Sequence, residues 1–177
     1  MSAKQSNSRD KLNIKRITVC ALFVAVCLIA TYLESLLSLG IAVAVPGVKL
    51  GLSNAVALTL VCMGNKKEAW FVNITRICLS SLLFGSVVSF MFAITGGVAS
   101  LAAVCILSRF KSVSQIGISI AGAVVHNIFQ CIVAIFFVGK GIVFYLPILL
   151  IGGAVCGAFC GVLVKLFLKK VKTNAIF

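Results

Sequence analysis

Six apolar stretches, at residues 17–39, 50–63, 69–85, 89–108, 116–138 and 142–168, alternate with short polar or basic segments along the chain. A helix rising about 1.5 Å per residue needs about twenty mainly apolar residues to cross bilayer hydrocarbon, so each stretch is a candidate membrane-spanning helix. The second is short. The apolar segment 40–48 before it carries Pro46-Gly47, and a re-entrant or broken helix there would complete the crossing. No charge separates the third stretch from the fourth, so Gly85-Ser86 is the predicted turn. The expected fold is an all-α integral membrane bundle of six transmembrane helices over residues 17–168. A basic N-terminal segment, 1–16, precedes it and a short tail, 169–177, follows. Ahead of so long an apolar run, the basic segment reads as the flank of a retained first span rather than as a signal peptide.

Composition supports the membrane reading. Of 177 residues 62% are hydrophobic, and only Asp10, Glu34 and Glu68 are acidic against sixteen Lys and Arg. A soluble domain of this length could not keep so apolar a surface in water. The net charge of +13 does not point to nucleic acid, because the basic residues lie between apolar runs instead of along one face. Their placement sets the orientation, since short cytoplasmic segments collect Lys and Arg. With the N-terminus inside, thirteen of the sixteen fall on the inner side: Lys4, Arg9, Lys11, Lys15, Arg16, Lys66, Lys67, Arg109, Lys111, Lys165, Lys169, Lys170 and Lys172. Lys49 and Lys140 fall outside, and Arg76 lies within a span. Both ends are therefore expected in the cytoplasm. All eight cysteines sit in apolar runs and read as small buried residues, neither a disulfide framework nor a metal site.

Polar groups at membrane depth are costly and mark candidate sites. Asn73, Arg76 and Ser80 share one face of the third span, and Ser119, Gly122, His126 and Gln130 line the fifth with Asn127 adjacent. For His126 an interhelical hydrogen bond and a ligand contact are both open. Arg76 keeps its proton and must meet an anion, carbonyl groups or water, with Glu34 the one acid inside the spans and a possible counter-ion for it or for Lys49. Around Lys49 and Asn54, a Pro-Gly turn, a cation and the free N–H groups of a helix start favour an anionic ligand. The order of residues is not that of a nucleotide-binding phosphate loop. With one histidine, one aspartate and no clustered acids, no catalytic set, metal site or cofactor site is expected. Gly153, Gly157 and Gly161 on the last span, and Ala21 and Ala25 on the first, repeat at the spacing that allows close helix contact, within the bundle or with a partner.

The run Pro46-Gly47-Val48-Lys49-Leu50-Gly51-Leu52-Ser53-Asn54, then Asn73-Ile74-Thr75-Arg76, Gly96-Gly97, Ser119-Ile120-Ala121-Gly122-Ala123, His126-Asn127 with Gln130, and Tyr145-Leu146-Pro147, resembles one membrane family. It carries two labels, Gx transporters and component I of heptaprenyl diphosphate synthase, and the resemblance spans about residues 15–168. More distantly, it is similar to the substrate-binding S-components of energy-coupling-factor transporters. That similarity implies a multi-pass protein of the bacterial cytoplasmic membrane that takes up a small anionic or amphipathic molecule. Lys49, Asn54, Arg76, His126, Asn127 and Gln130 are its candidate substrate-binding residues. It also implies a coupling membrane protein with two ATPase subunits as partner, contacted through Ala21 and Ala25. The rival readings are a non-catalytic membrane subunit of a prenyl diphosphate synthase, and a membrane partner in a flavin or quinone redox system. A single histidine leaves no haem pair for the last of these.

The charge distribution makes a direct prediction. Single cysteines placed near Lys67, Arg109 and Lys170, in a background without the native cysteines, should resist impermeant thiol reagents in intact cells. Labelling at those positions from outside would invert the orientation.

Overall fold

The computed structural model describes the backbone of residues 2–41, 51–110 and 112–170, and the side chains of 14–36, 51–110 and 112–170. Six α-helices follow in order: α1 (Ser2–Ile41), α2 (Leu52–Cys62), α3 (Lys66–Phe84), α4 (Val87–Leu107), α5 (Gln115–Val138) and α6 (Leu146–Lys170). A 3-10 helix, Lys140–Tyr145, leads into α6. No strand occurs among the described residues. The helix of the first apolar stretch runs back through the basic N-terminal residues to Ser2, since nothing in that segment breaks a helix.

Four segments are long and apolar enough to cross a membrane: Ile14–Leu36, Val87–Leu107, Gln115–Val138 and Lys140–Lys170. The other two helices differ for separate reasons. At 11 residues, α2 is only about 16 Å long. Although α3 has 19 residues, it carries Lys66, Lys67, Glu68 and Arg76. The Pro46-Gly47 segment invoked to complete the second crossing lies outside the described residues.

Local chemistry marks the helix ends. Gly85 and Ser86 form the break between α3 and α4, and the Ser86 side chain accepts from the Ser89 N–H at 3.2 Å. Ser114 caps α5 the same way, accepting from the Gly117 N–H at 3.1 Å. Gly51 begins α2 with φ 74° and Gly139 ends α5 with φ 95°, left-handed conformations that side chains other than glycine rarely adopt. Lys66 donates from Nζ to the Cys105 carbonyl at 3.1 Å, placing a cation on the C-terminal turn of α4.

Helix α5 packs between α4 and α6, while α1, α2 and α3 form a second group against α4. Their shared core joins Cys20, Val24 and Cys27 of α1 to Leu58, Leu60 and Val61 of α2, Val72 of α3, and Leu101 and Val104 of α4. The α5–α6 contact is made backbone to backbone. A Cβ at Gly157 would lie 3.0 Å from Ile120 Cα, and one at Gly161 2.8 Å from Ile116 Cα. The glycine row is thus used inside the bundle. Outside, Leu82, Val87, Phe136 and Phe144 are each at least 80% exposed, an apolar surface that needs hydrocarbon as its solvent. All eight cysteines are free.

Overpacking the glycine row should therefore cost stability. Gly157→Leu must push two backbones apart, and a loss of about 1–3 kcal/mol or more is expected, read as a lower melting temperature in one detergent. Gly141→Ala, where nothing lies within 4 Å of the added carbon, should melt like the parent.

Candidate functional site

Helix α2 starts beside α1. The Leu52 N–H donates to the Glu34 carboxylate, which places a negative charge at the positive end of the α2 dipole. The next two residues, Ser53 and Asn54, then turn toward α3. There Arg76 is 7% exposed, and its Nη1 donates to Ser53 Oγ at 2.8 Å. Its Nη2 donates to Asn54 Oδ1 at 2.6 Å and to Asn73 Oδ1 at 2.9 Å, and its Nε reaches the same Asn73 oxygen at 3.1 Å. Asn73 in turn donates from Nδ2 to the Gly97 carbonyl at 3.1 Å. One guanidinium thus ties α2 and α3 together directly, and α4 through Asn73. Its hydrogen bonds go to neutral oxygens. Glu34, offered by the sequence as a counter-ion, accepts from the start of α2 and borders the same cavity, where its charge acts on Arg76.

Gly96 and Gly97 thread α4 between the two polar stripes. A Cβ at Gly97 would lie 2.7 Å from Ile77 Cδ1 and 3.8 Å from Arg76 Nη2. A Cβ at Gly96 would lie 2.9 Å from Cε1 of His126 and 3.1 Å from Cγ of Gln130. Two adjacent glycines therefore let α3 close on one side of α4 and α5 on the other.

Between these helices lies a cavity of about 210 Å³, walled by Glu34, Asn54, Arg76, Ser80, His126 and Gln130 and reaching Phe84 and Gly85 at the α3–α4 turn. A smaller space of about 60 Å³ adjoins it, sharing Gly51, Asn54, His126 and Gln130 and adding Ser100, Ser119 and Asn127. The arrangement offers a fixed positive charge, hydroxyls, amides and an imidazole: groups that bind and orient. Among the described residues no group of three His, Cys, Asp or Glu could hold a metal ion.

Of the residues singled out by sequence, Asn54, Arg76, His126 and Gln130 come together on the larger cavity. Asn127 faces away from it, donating from Nδ2 to the Leu149 carbonyl of α6 at 2.7 Å above Gly153. Lys49 lies outside the described residues. Ala21 and Ala25 are exposed on α1 and do not line the cavity. Sequence reasoning passed over Ser53, whose hydroxyl is buried against Arg76, and Thr31 and Ser35, which make an α1 wall with Glu34. The signal for that wall was present, since i, i+3 and i+4 spacing puts the three on one helix face.

Because Asn73 serves both Arg76 and Gly97, Asn73→Ala should strand a buried charge and a carbonyl. A loss of about 1–3 kcal/mol is expected. Ser80→Ala, which removes only a local bond to the Ile77 carbonyl, should change melting far less.

Comparison with known proteins adds a family. The family model described as heptaprenyl diphosphate synthase component I matches residues 23–167, a stretch that contains every described residue of the Arg76 cavity. Searches of curated proteins and of solved structures returned no match. With most of its length matched, including the helices that build the cavity, the chain belongs to the heptaprenyl diphosphate synthase component I family.

Proposed function

We propose that this chain is a non-catalytic membrane subunit that captures a small anionic molecule in the Arg76 cavity. The observation that carries the reading is a buried guanidinium on the wall of a polar cavity in an otherwise apolar bundle. A charge at membrane depth is expensive, and interhelical packing alone could be achieved with an apolar residue. In the six-span, N-in and C-in arrangement that the charge distribution favours, the α3–α4 turn and the start of α2 face outward. The cavity then opens to the outside. Arg76 and His126 lie roughly 15 Å along their helices, near the midplane.

In this reading the protein is a substrate-binding subunit for uptake, driven by partner ATPases through a coupling membrane protein. The exposed Ala21 and Ala25 leave a shallow groove on α1 where such a partner helix fits. The family's name favours a second reading, an accessory membrane subunit of a prenyl diphosphate synthase that holds an isoprenoid diphosphate at the bilayer. The two share a ligand chemistry and differ in partner. Affinity purification from native membranes separates them: ATPase subunits co-purify in the first case, a soluble prenyl synthase in the second. Replacing both alanines, Ala21→Leu with Ala25→Leu, should abolish recovery of the partner while the bundle still folds.

Binding and structural roles also predict different outcomes on mutation. His126→Ala should weaken anion binding by about tenfold or more, about 1.4 kcal/mol, with a small change in the melting of the ligand-free protein. Asn127→Ala should do the reverse, because it loses the bond to Leu149. Unchanged affinity with a large loss of stability in His126→Ala would remove the cavity from the binding role.

A further inference from the structure

The Arg76 cavity is small for a whole ligand. At about 210 Å³ it falls below the roughly 300–1,000 Å³ typical of small-molecule pockets, and most of the residues that line it carry polar side chains. A second space of about 1010 Å³ lies against it, along α5 between α4 and the start of α6. Its character is opposite. Cys131 and Ala134 are buried at its floor, and Val88, Phe92, Leu146 and Leu149 line its sides. Helices α4 and α6 both pack on α5, and the space lies along α5 between them at the end nearest the 3-10 helix.

The two spaces meet at shared residues. Ser89 and Gln130 line both, so polar groups stand at one end of the apolar groove, where it joins the cavity that holds Arg76. An apolar groove facing hydrocarbon says little by itself, because lipid chains can fill it at no cost. Its continuity with a buried positive charge specifies an occupant.

Building on the proposed anion site, we infer that the ligand is a single-chain amphiphile, with a small anionic head in the Arg76 cavity and an apolar tail in the α4–α5–α6 groove. Gln130 sits at the joint between head and tail. Arg76 supplies the positive charge for the head, while the N-terminal end of α2 is occupied by the Glu34 carboxylate, which accepts from the Leu52 N–H. The tail needs no polar partner, which fits a groove whose sides offer almost none.

The test uses the full chain in lipid nanodiscs with two probe series, n-alkyl phosphates and n-alkyl carboxylates from ethyl to dodecyl. Binding is compared between the parent, Ala134→Phe and Leu149→Trp, the last two filling the groove at different points. Longer tails partition into any bilayer, so the readout is the ratio of parent to variant affinity at each length. The expected result is a ratio near one for the ethyl probe that rises to about tenfold or more for the dodecyl probe, in whichever head series binds. A ratio that stays flat with length in both folded variants, while the ethyl probe still binds and loses affinity in Arg76→Lys, overturns the tail groove and leaves the anion site standing. Failure of every probe to bind the parent overturns both. Two groove variants guard against one that does not fold.

Discussion

A guanidinium that cannot lose its proton, placed in the middle of an apolar bundle, obliges its surroundings to come to it. Arg76 draws Ser53 and Asn54 from α2 and Asn73 from its own helix, and Asn73 extends the network to the backbone of α4. Helix α2 depends on this most. Eleven residues give little intrinsic stability, and its position is set at one end by Glu34, by Arg76 through Ser53 and Asn54, and along its length by Leu58 and Leu60 in the core. Without the charge, the short helix would lose the contacts that fix its first turn, and the cavity would lose a wall.

The same network explains why binding and stability are hard to separate here. Arg76 and Asn73 serve the architecture and border or support the cavity at once, whereas His126 and Gln130 meet α4 through a glycine and make their main contribution to the cavity wall. Asn127, one residue along, belongs to a different interface. Successive residues on a helix point about 100° apart, so His126 turns toward α4 while its neighbour turns toward α6.

Much of the helix plan was legible in the sequence because hydrocarbon imposes a strong compositional signature. The third to sixth apolar stretches, the break at Gly85-Ser86 and the close-packed row of Gly153, Gly157 and Gly161 all appear in the structure, each marked by residue type and spacing alone. The limits of the first helix were less legible, since the basic residues ahead of it signal the edge of the hydrocarbon and not the end of helical hydrogen bonding. The site was half legible. Arginine, histidine and asparagine stand out against an apolar background, but serine is too common in membrane helices for Ser53 to stand out before its contact with α3 is known. The role of Glu34 was hidden for a related reason. One of its partners is a backbone N–H, and no side-chain pattern announces a helix end from another helix.

The paired glycines of α4 have a mechanical consequence. Where two helices meet through long side chains, a small displacement of one is absorbed by rotamer changes and fades within the interface. At Gly96 and Gly97 that cushion is missing on the α4 side, where the Ile77 side chain and the His126 ring each come within 3 Å of where a Cβ would stand. The path from the His126 ring to α3 is correspondingly short: it crosses the main chain of α4 at Gly96 and Gly97 and reaches Asn73 through the Gly97 carbonyl.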